Sequence, residues 1–323
     1  MHILEQRRPL GSTGLLVSPL CIGTSSWGRV RPGETDAQAH ARIAELAPRG
    51  LGADPRLNYI DTSNMYGDHH SEELIGRALA KVGGIPAGYV VQTKLDRNTD
   101  NDDFSAAQMW HSLEQSLERL GLTKLQILFL HDPEVIGFGA ASAPGGPMEA
   151  LVEMKKQGIV DSIGISGGPV PMLQQFVDTG EFDMIITHNR YTLVDRSAEA
   201  LLASAQARGM GVNNAAPYGG GGLSGRPGSS ERYGYRATGP AVRSAIDEMA
   251  RVCAAAGVPL SAAALQFSLR SPLVSSTVVG VSGNDRLDAS IADAEFDIPE
   301  SLWAELEQFV PPASEALDAG SGV

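Results

Sequence analysis

The sequence predicts an α/β chain folded as a (β/α)8 TIM barrel, with an N-terminal hairpin and extra C-terminal helices. Two observations lead there. Eight short apolar runs alternate with eight segments of helical period along the 323 residues. Three successive runs end at or just before ionisable residues, Asp61 with Tyr66, Lys94, and His131, the position at which parallel α/β folds carry their chemistry. A six-stranded doubly wound sheet would leave two units over and ranks second. No Pro/Gly linker divides the alternation, so residues 1–323 read as a single domain.

The chain opens on a hairpin, Leu10, the turn Gly11-Ser-Thr-Gly14, then Leu15-Leu-Val17. Strands are expected at 20–23, 59–62, 89–94, 125–131, 163–166, 184–188, 211–215 and 277–280. Helices are expected at 36–46, 71–82, 105–120, 147–157, 171–178, 197–207, 241–256 and 284–293, with two more at 262–269 and 301–309 outside the strict alternation. Ser71 and Glu73 suit the N-cap and first turn of the second helix. Two connections are long for such a fold, 133–146 after His131 and 218–239, which carries Gly219 to Gly222 and Arg226, Arg232 and Arg236. Long loops at strand ends are expected to act as lids.

Composition narrows the function. A hydrophobic content of 42% suffices for a core, and a net charge of −13 argues against nucleic-acid binding, which needs clustered Lys and Arg. No run approaches the roughly 18 apolar residues of a membrane span, and the first residues lack an apolar signal core, so a cytoplasmic protein is expected. Cys21 and Cys253 lack metal or disulfide spacing and read as buried thiols. Asp68-His69-His70 has no third ligand nearby, so no metal is assigned. Nothing in the sequence fixes an oligomeric state.

Two motifs point elsewhere and are set aside. Gly220 to Gly225 satisfies G-x-G-x-x-G, but no helix opens inside it to meet a pyrophosphate. Gly164-Ile-Ser-Gly-Gly168 matches a nucleophile elbow, yet only His188 follows Ser166, in the next strand rather than a late loop.

The chemistry concentrates in Asn58-Tyr-Ile-Asp-Thr-Ser-Asn-Met-Tyr-Gly67 and the two strands after it. A phenol ionises near pH 10 and needs help to exchange protons at neutral pH. Lys94 beside Tyr66 would lower that value, and Asp61 would hold the amine charged and aimed. Tyr66 then acts as acid and base, with His131 across the pocket, hydrogen-bonding the substrate oxygen or relaying its proton. Without a nucleophile or metal, this set suits proton transfer coupled to hydride transfer, and the hydride has to come from a cofactor.

The spacing of Asp61, Tyr66, Lys94 and His131 resembles the aldo-keto reductase family, over residues 10 to about 292. The resemblance implies a barrel that binds NADP or NAD, without metal, across its strand ends, and a small-molecule carbonyl or sugar substrate. It assigns to the cofactor Thr24, Ser166, His188, Asn189, Tyr218, Gly219, Gly280, Ser282 and Arg286. The family's Ser-Asn pair reads Ser166-Gly167 here, and its strand-six Gln reads His188, with Asn189 beside it. The family's nicotinamide-stacking Tyr aligns with Ala215, leaving Tyr218 as the nearest ring. Ser282 and Arg286 suit a 2′-phosphate, but a frequent Lys is absent and Asp285 adds negative charge. Within the family, residues 128–133, 188–193 and 214–218 look most like the sugar-oxidising branch of D-threo-aldose (L-fucose) and L-galactose 1-dehydrogenases, with pyridoxal dehydrogenase a relative. That branch implies oxidation of an aldose C1 hydroxyl to a lactone, with Trp27, Asp132 and the 133–146 loop around the sugar. An NADPH-dependent aldehyde or ketone reductase and a non-catalytic nucleotide-sensing subunit are the alternatives.

Overall fold

The computed structural model describes residues 3–319; the ends of the expected domain, 1–2 and 320–323, lie outside the described residues. Eight parallel strands close into one barrel: β1 Leu20–Gly23, β2 Tyr59–Asp61, β3 Val90–Leu95, β4 Leu125–His131, β5 Val160–Gly167, β6 Met184–His188, β7 Gly211–Ala215 and β8 Ser276–Gly280, with β8 pairing back onto β1. A ring of helices surrounds it: α1 Asp36–Leu46, α2 His70–Val82, α3 Ala106–Leu120, α4 Pro147–Lys156, α5 Val170–Thr179, α6 Glu199–Ala207, α7 Pro240–Ala255, α8 Leu260–Leu269, α9 Asn284–Glu295 and α10 Glu300–Leu306. The fold class is the one the alternation predicts.

Period 2 sorts each strand into two faces. Outward residues such as Ile60, Val91, Leu128 and Ile185 join the large core shared with the helices. Inward residues fill the barrel: Cys21, Tyr59, Val90, Ile127, Phe129, Met184, Ile186 and Val278. Leu10 and Val17 of the N-terminal hairpin, whose strands Arg8–Pro9 and Leu16–Val17 pair antiparallel, belong to the same interior cluster and plug the barrel floor. Gly164 reflects this packing. A Cβ there would stand 2.2 Å from the Phe129 ring, so the glycine of the elbow-like motif makes room for a core aromatic.

The start of α2 departs from expectation. His69, in a left-handed conformation, precedes the helix and makes no side-chain cap bond. Ser71 lies buried, and its hydroxyl bonds to Thr24 (2.7 Å) and Thr62 (2.8 Å), so it ties α2 to the barrel rim instead of capping. The long connections also carry structure: a short helix Gly137–Ala141 in the first, and a two-stranded ribbon, Arg232–Tyr233 with Arg236–Ala237, in the second. Both cysteines are free and buried. Among the described residues no single helix is long and apolar enough to cross a membrane; α7 and α8 reach that length only together, bent by 103°.

Candidate active site

Asp61, Lys94 and His131 are delivered by the C-terminal ends of β2, β3 and β4, and Tyr66 by the turn after β2. Gly67 closes that turn at φ +61°, and a Cβ on it would stand 1.5 Å from the Trp27 carbonyl oxygen, so only glycine fits where the phenol is aimed. Lys94, 1% exposed, donates to Asp61 Oδ1 (2.7 Å) and the Thr62 carbonyl (2.7 Å), and its Nζ stands 3.3 Å from the Tyr66 hydroxyl. The Tyr66 and His131 rings meet edge to face at 5.6 Å. The structure therefore brings all four residues together.

Behind them lies a layer that the sequence reading missed. Gln92 donates to Asp61 Oδ1 at 2.6 Å and is held by Tyr59 and Asn213, which fill the barrel below it. Asp96, 4% exposed, bonds to His131 Nδ1 at 2.5 Å, and it also accepts from Ser63 and from the Met65 amide (3.0 Å). Gln92, Lys94 and Asp96 stand two residues apart, so the period of β3 puts them on one face; that alternation was the available signal.

The electrostatics correct the expectation for Tyr66. Burial, then Asp61, Asp132, Asp96 and Tyr235, hold its phenol well above its ordinary value. Lys94 does not offset them, because Asp61 neutralises its charge at close range. For His131, burial opposes the charged form, but Asp132 and Asp96 outweigh it and hold the imidazolium above its usual range, with Lys94 opposing. Burial would raise Asp96, yet His131, Ser63 and Met65 leave it below the usual carboxylate range.

The mouth gathers the expected substrate residue Asp132, 3.8 Å from His131 Nε2, with Glu134 and His188; one ligand-type atom from each of these three lies within 4.8 Å of the others. Glu134 accepts from the Gly168 amide at 3.2 Å, and its other oxygen lies 2.9 Å from where a residue-167 Cβ would stand. The space that a side chain after Ser166 would occupy is thus filled by a carboxyl. Burial, followed by Asp132, raises that carboxyl. His188 is pulled down to about 4, mainly by burial, with Arg190 adding to the effect, and so is neutral near pH 7.

Other expected contacts fall elsewhere. Trp27 does not line the pocket: it is fully buried, with Nε1 donating to the Val281 carbonyl at 2.8 Å. Thr24 is also fully buried, its hydroxyl joining the Asp61 carbonyl (2.9 Å) and Ser71 (2.7 Å), which makes it a tie between β1, β2 and α2. Tyr218 points away from the tetrad. It lines a cavity of about 170 Å3 with Ser224, Ser261, Gly280, Arg286, Ser290 and Asp293, and its hydroxyl bonds toward Ser290. Gly219 packs against the Tyr233 ring. The ring at the mouth is Tyr235, whose centroid is 6.3 Å from that of His188. The Ser282 hydroxyl accepts from Arg31 at 3.0 Å and its carbonyl from Arg31 and Arg42, so Arg31 joins Arg286 at this end.

These residues fit a nicotinamide dinucleotide laid over the strand ends. Ser166 sits buried beside His131 in register, and Asn189, 1% exposed, leaves Oδ1 without a partner, an acceptor suited to an amide. The Aldo/keto reductase family model matches residues 19–311. The chain belongs to that family. As a member it is an NAD(P)-dependent oxidoreductase acting on a small molecule. It is 32% identical to L-galactose dehydrogenase of Arabidopsis thaliana, over 88% of this chain and 86% of the relative, and 32% identical to D-threo-aldose 1-dehydrogenase of a Pseudomonas species, over 92% and 95%. Pyridoxal 4-dehydrogenase of Microbacterium luteolum is 26% identical over 95% and 98%. An aldo-keto reductase structure from Bacillus halodurans superposes with a TM-score of 0.74 at 21% identity, covering 97% of this chain and 99% of that one, and shares the fold.

Proposed function

We propose that the protein oxidises the C1 hydroxyl of an aldose to the lactone with NAD+. The observation that carries the substrate class is the convergence of Asp132, Glu134 and His188 beside His131. Asp132 Oδ1 and Glu134 Oε2 are buried without partners, and vicinal sugar hydroxyls supply the donors that such oxygens accept. The sugar dehydrogenases among the relatives support the same class. A bound oxidised nicotinamide would supply the acceptor for the C1 hydride. Tyr66 and His131 hold the C1 oxygen between a phenol and an imidazole, Lys94 and Asp61 fix the phenol, and Tyr235 of the 218–239 loop stands beside His188. NAD+ is preferred because Asp293 lines the cavity that holds Arg286, and a carboxyl there disfavours a 2′-phosphate while accepting from a ribose hydroxyl.

A second reading, reduction of an aldehyde, is favoured by the phenol being held protonated, the form that donates to a carbonyl. A panel of aldoses and aldehydes assayed in both directions with NAD(H) and NADP(H), following absorbance of the reduced nicotinamide, separates them. Aldose-dependent formation of NADH is expected. Turnover confined to aldehydes with NADPH would replace the first reading by the second.

A further inference from the structure

We propose that Leu317 and Asp318, late in the chain, are positioning residues for substrate binding: they latch the tip of the ribbon and so hold the Tyr235 ring at the pocket mouth. The inference rests on the reading of His188 and Tyr235 as that mouth, and is independent of which sugar or aldehyde is bound.

Asp318 joins two elements that the sequence keeps far apart. Helix α5 follows Pro169 and has no side-chain cap of its own. Asp318 Oδ2 accepts from its first amide, Val170, at 2.8 Å, a contact across 148 positions of chain. The same carboxylate pairs with Arg190, whose Nε and Nη2 reach Oδ1 at 2.9 and 2.7 Å. Both side chains are largely buried, Arg190 at 13% and Asp318 at 12% exposed. Gly168 leaves room for the guanidinium, because a Cβ there would stand 2.7 Å from Arg190 Nη1. That nitrogen donates to the His188 carbonyl at 3.2 Å, so the ion pair is fastened to the end of β6. A planar fork held by a carboxylate on one side and a carbonyl on the other has little freedom to turn.

Leu317 holds the ribbon. Its amide donates at 2.8 Å to Asp195 Oδ2, on a carboxylate that is 4% exposed and fixed through its other oxygen by Ser197. Its carbonyl accepts from Arg236 Nη2 at 3.0 Å. Its side chain fills the space beside Gly234, where a Cβ would lie 2.7 Å from Leu317 Cδ2. The ribbon is pinned separately at its base, where the Tyr233 hydroxyl donates to the Asn189 carbonyl at 2.6 Å. Between ribbon and tail lies a cavity of about 320 Å3 lined by Tyr233, Arg236, Thr238, Val242, Glu315 and Leu317. The ribbon therefore does not rest on a packed face, and the tail grips it close to the tip. That tip carries Tyr235, 60% exposed, left-handed at φ +68°, with its ring centroid 6.3 Å from that of His188. A ring so exposed, on so unfavourable a backbone, keeps its place only where neighbours hold it. The tail does so from both sides: Asp318 fixes the His188 end of β6 through Arg190, and Leu317 fixes Gly234 and Arg236.

Asp318→Ala in the full chain tests the latch. KM for whichever aldose or aldehyde is turned over should rise by about two- to tenfold, the weight of one aromatic contact, with kcat unchanged. In a Tyr235→Gly background the same substitution should change KM by less than about twofold, a dependence that general loosening of the fold does not produce. Trypsin gives a readout that needs no turnover and stands even if no aldose is oxidised. Cleavage after Arg232 and Arg236 of the ribbon should quicken by about tenfold, while cleavage after Lys124, at the opposite end of the barrel just before β4, keeps the parent rate. Leu317→Ala leaves the Asp318–Arg190 pair in place and should quicken the same two cuts; it decides the matter if Asp318→Ala fails to fold. Ribbon cleavage at the parent rate in the folded variants overturns the latch. An unchanged KM, or a rise of the same size with and without Tyr235, overturns the role in substrate binding.

Discussion

The two walls of the pocket hold their side chains in opposite ways. The wall from β2, β3 and β4 presents Asp61, Lys94, Asp96 and His131, each at most 7% exposed and each bonded to at least one other polar side chain. The facing loop wall, made by the ribbon after β7 and by helix α9 after β8, presents Tyr235, 60% exposed, with Arg286 and Asp293 half-buried around a small cavity. Tyr235 sits at the tip of the ribbon with φ +68°, after Gly234 at φ +59°, the paired left-handed turn that joins tight hairpins. A tyrosine there is conformationally unfavourable. Reaction geometry is thus built into strands, where neighbours over-determine each rotamer, whereas recognition is hung on loops that can differ without disturbing it.

The largest expected consequence lies on the strand wall. Lys94→Met leaves Asp61 buried without its cation and should lower folding stability by about 3–5 kcal/mol, read by urea denaturation, together with loss of turnover. A stability within 1 kcal/mol of the parent would mean that Gln92 alone satisfies Asp61. On the loop wall, Arg286→Ala should weaken NADP+ binding by about 1.5–3 kcal/mol, measured by quenching of intrinsic fluorescence, and leave NAD+ nearly unaffected. Equal losses for both cofactors would place Arg286 on the adenine or the helix instead of on a phosphate.

The Asp96–His131 pair gives a pH signature of intermediate size. Asp96 is depressed, so its contribution is present above its ordinary value near 4 and is lost as pH falls through its lower folded value; His131 is raised, so its contribution is present below its ordinary value near 6.5 and is lost as pH rises through its higher folded value. The stability gap between the parent and Asp96→Asn should therefore be widest, about 1–2 kcal/mol, between roughly pH 4 and 6.5, and narrow on both sides. A gap independent of pH would show that the contact is not ionic. The smallest effect is expected at the ribbon tip. Tyr235→Gly should leave folding stability within about 0.5 kcal/mol and raise KM for the substrate by a factor equivalent to about 0.5–1.5 kcal/mol. An unchanged KM would remove Tyr235 from the pocket.

The sequence by itself determined the barrel and the residues carried by its strands. Eight apolar runs at helix-compatible spacing admit few closed arrangements, and a strand end is a place as well as a residue, so Asp61, Lys94 and His131 could be put at one mouth from order alone. Tyr66 followed because Gly67 dictates its turn. Tertiary structure decided what lay across the chain. Trp27 and Thr24 looked available in a loop after β1 and proved to be buried ties to Val281 and Asp61. Tyr218 turns to a cavity beside Ser290, and Tyr235 reaches His188 from a hairpin tip whose pairing register depends on a two-residue turn. Glu134 occupies space beside Gly167 from the turn after β4, a complementarity no local pattern records. The ionisation of Tyr66 was beyond sequence for the same reason: its sign follows from summing burial and three carboxylates held by β2, β3 and β4 against one neutralised lysine, and only the closed barrel brings those charges within reach of one phenol.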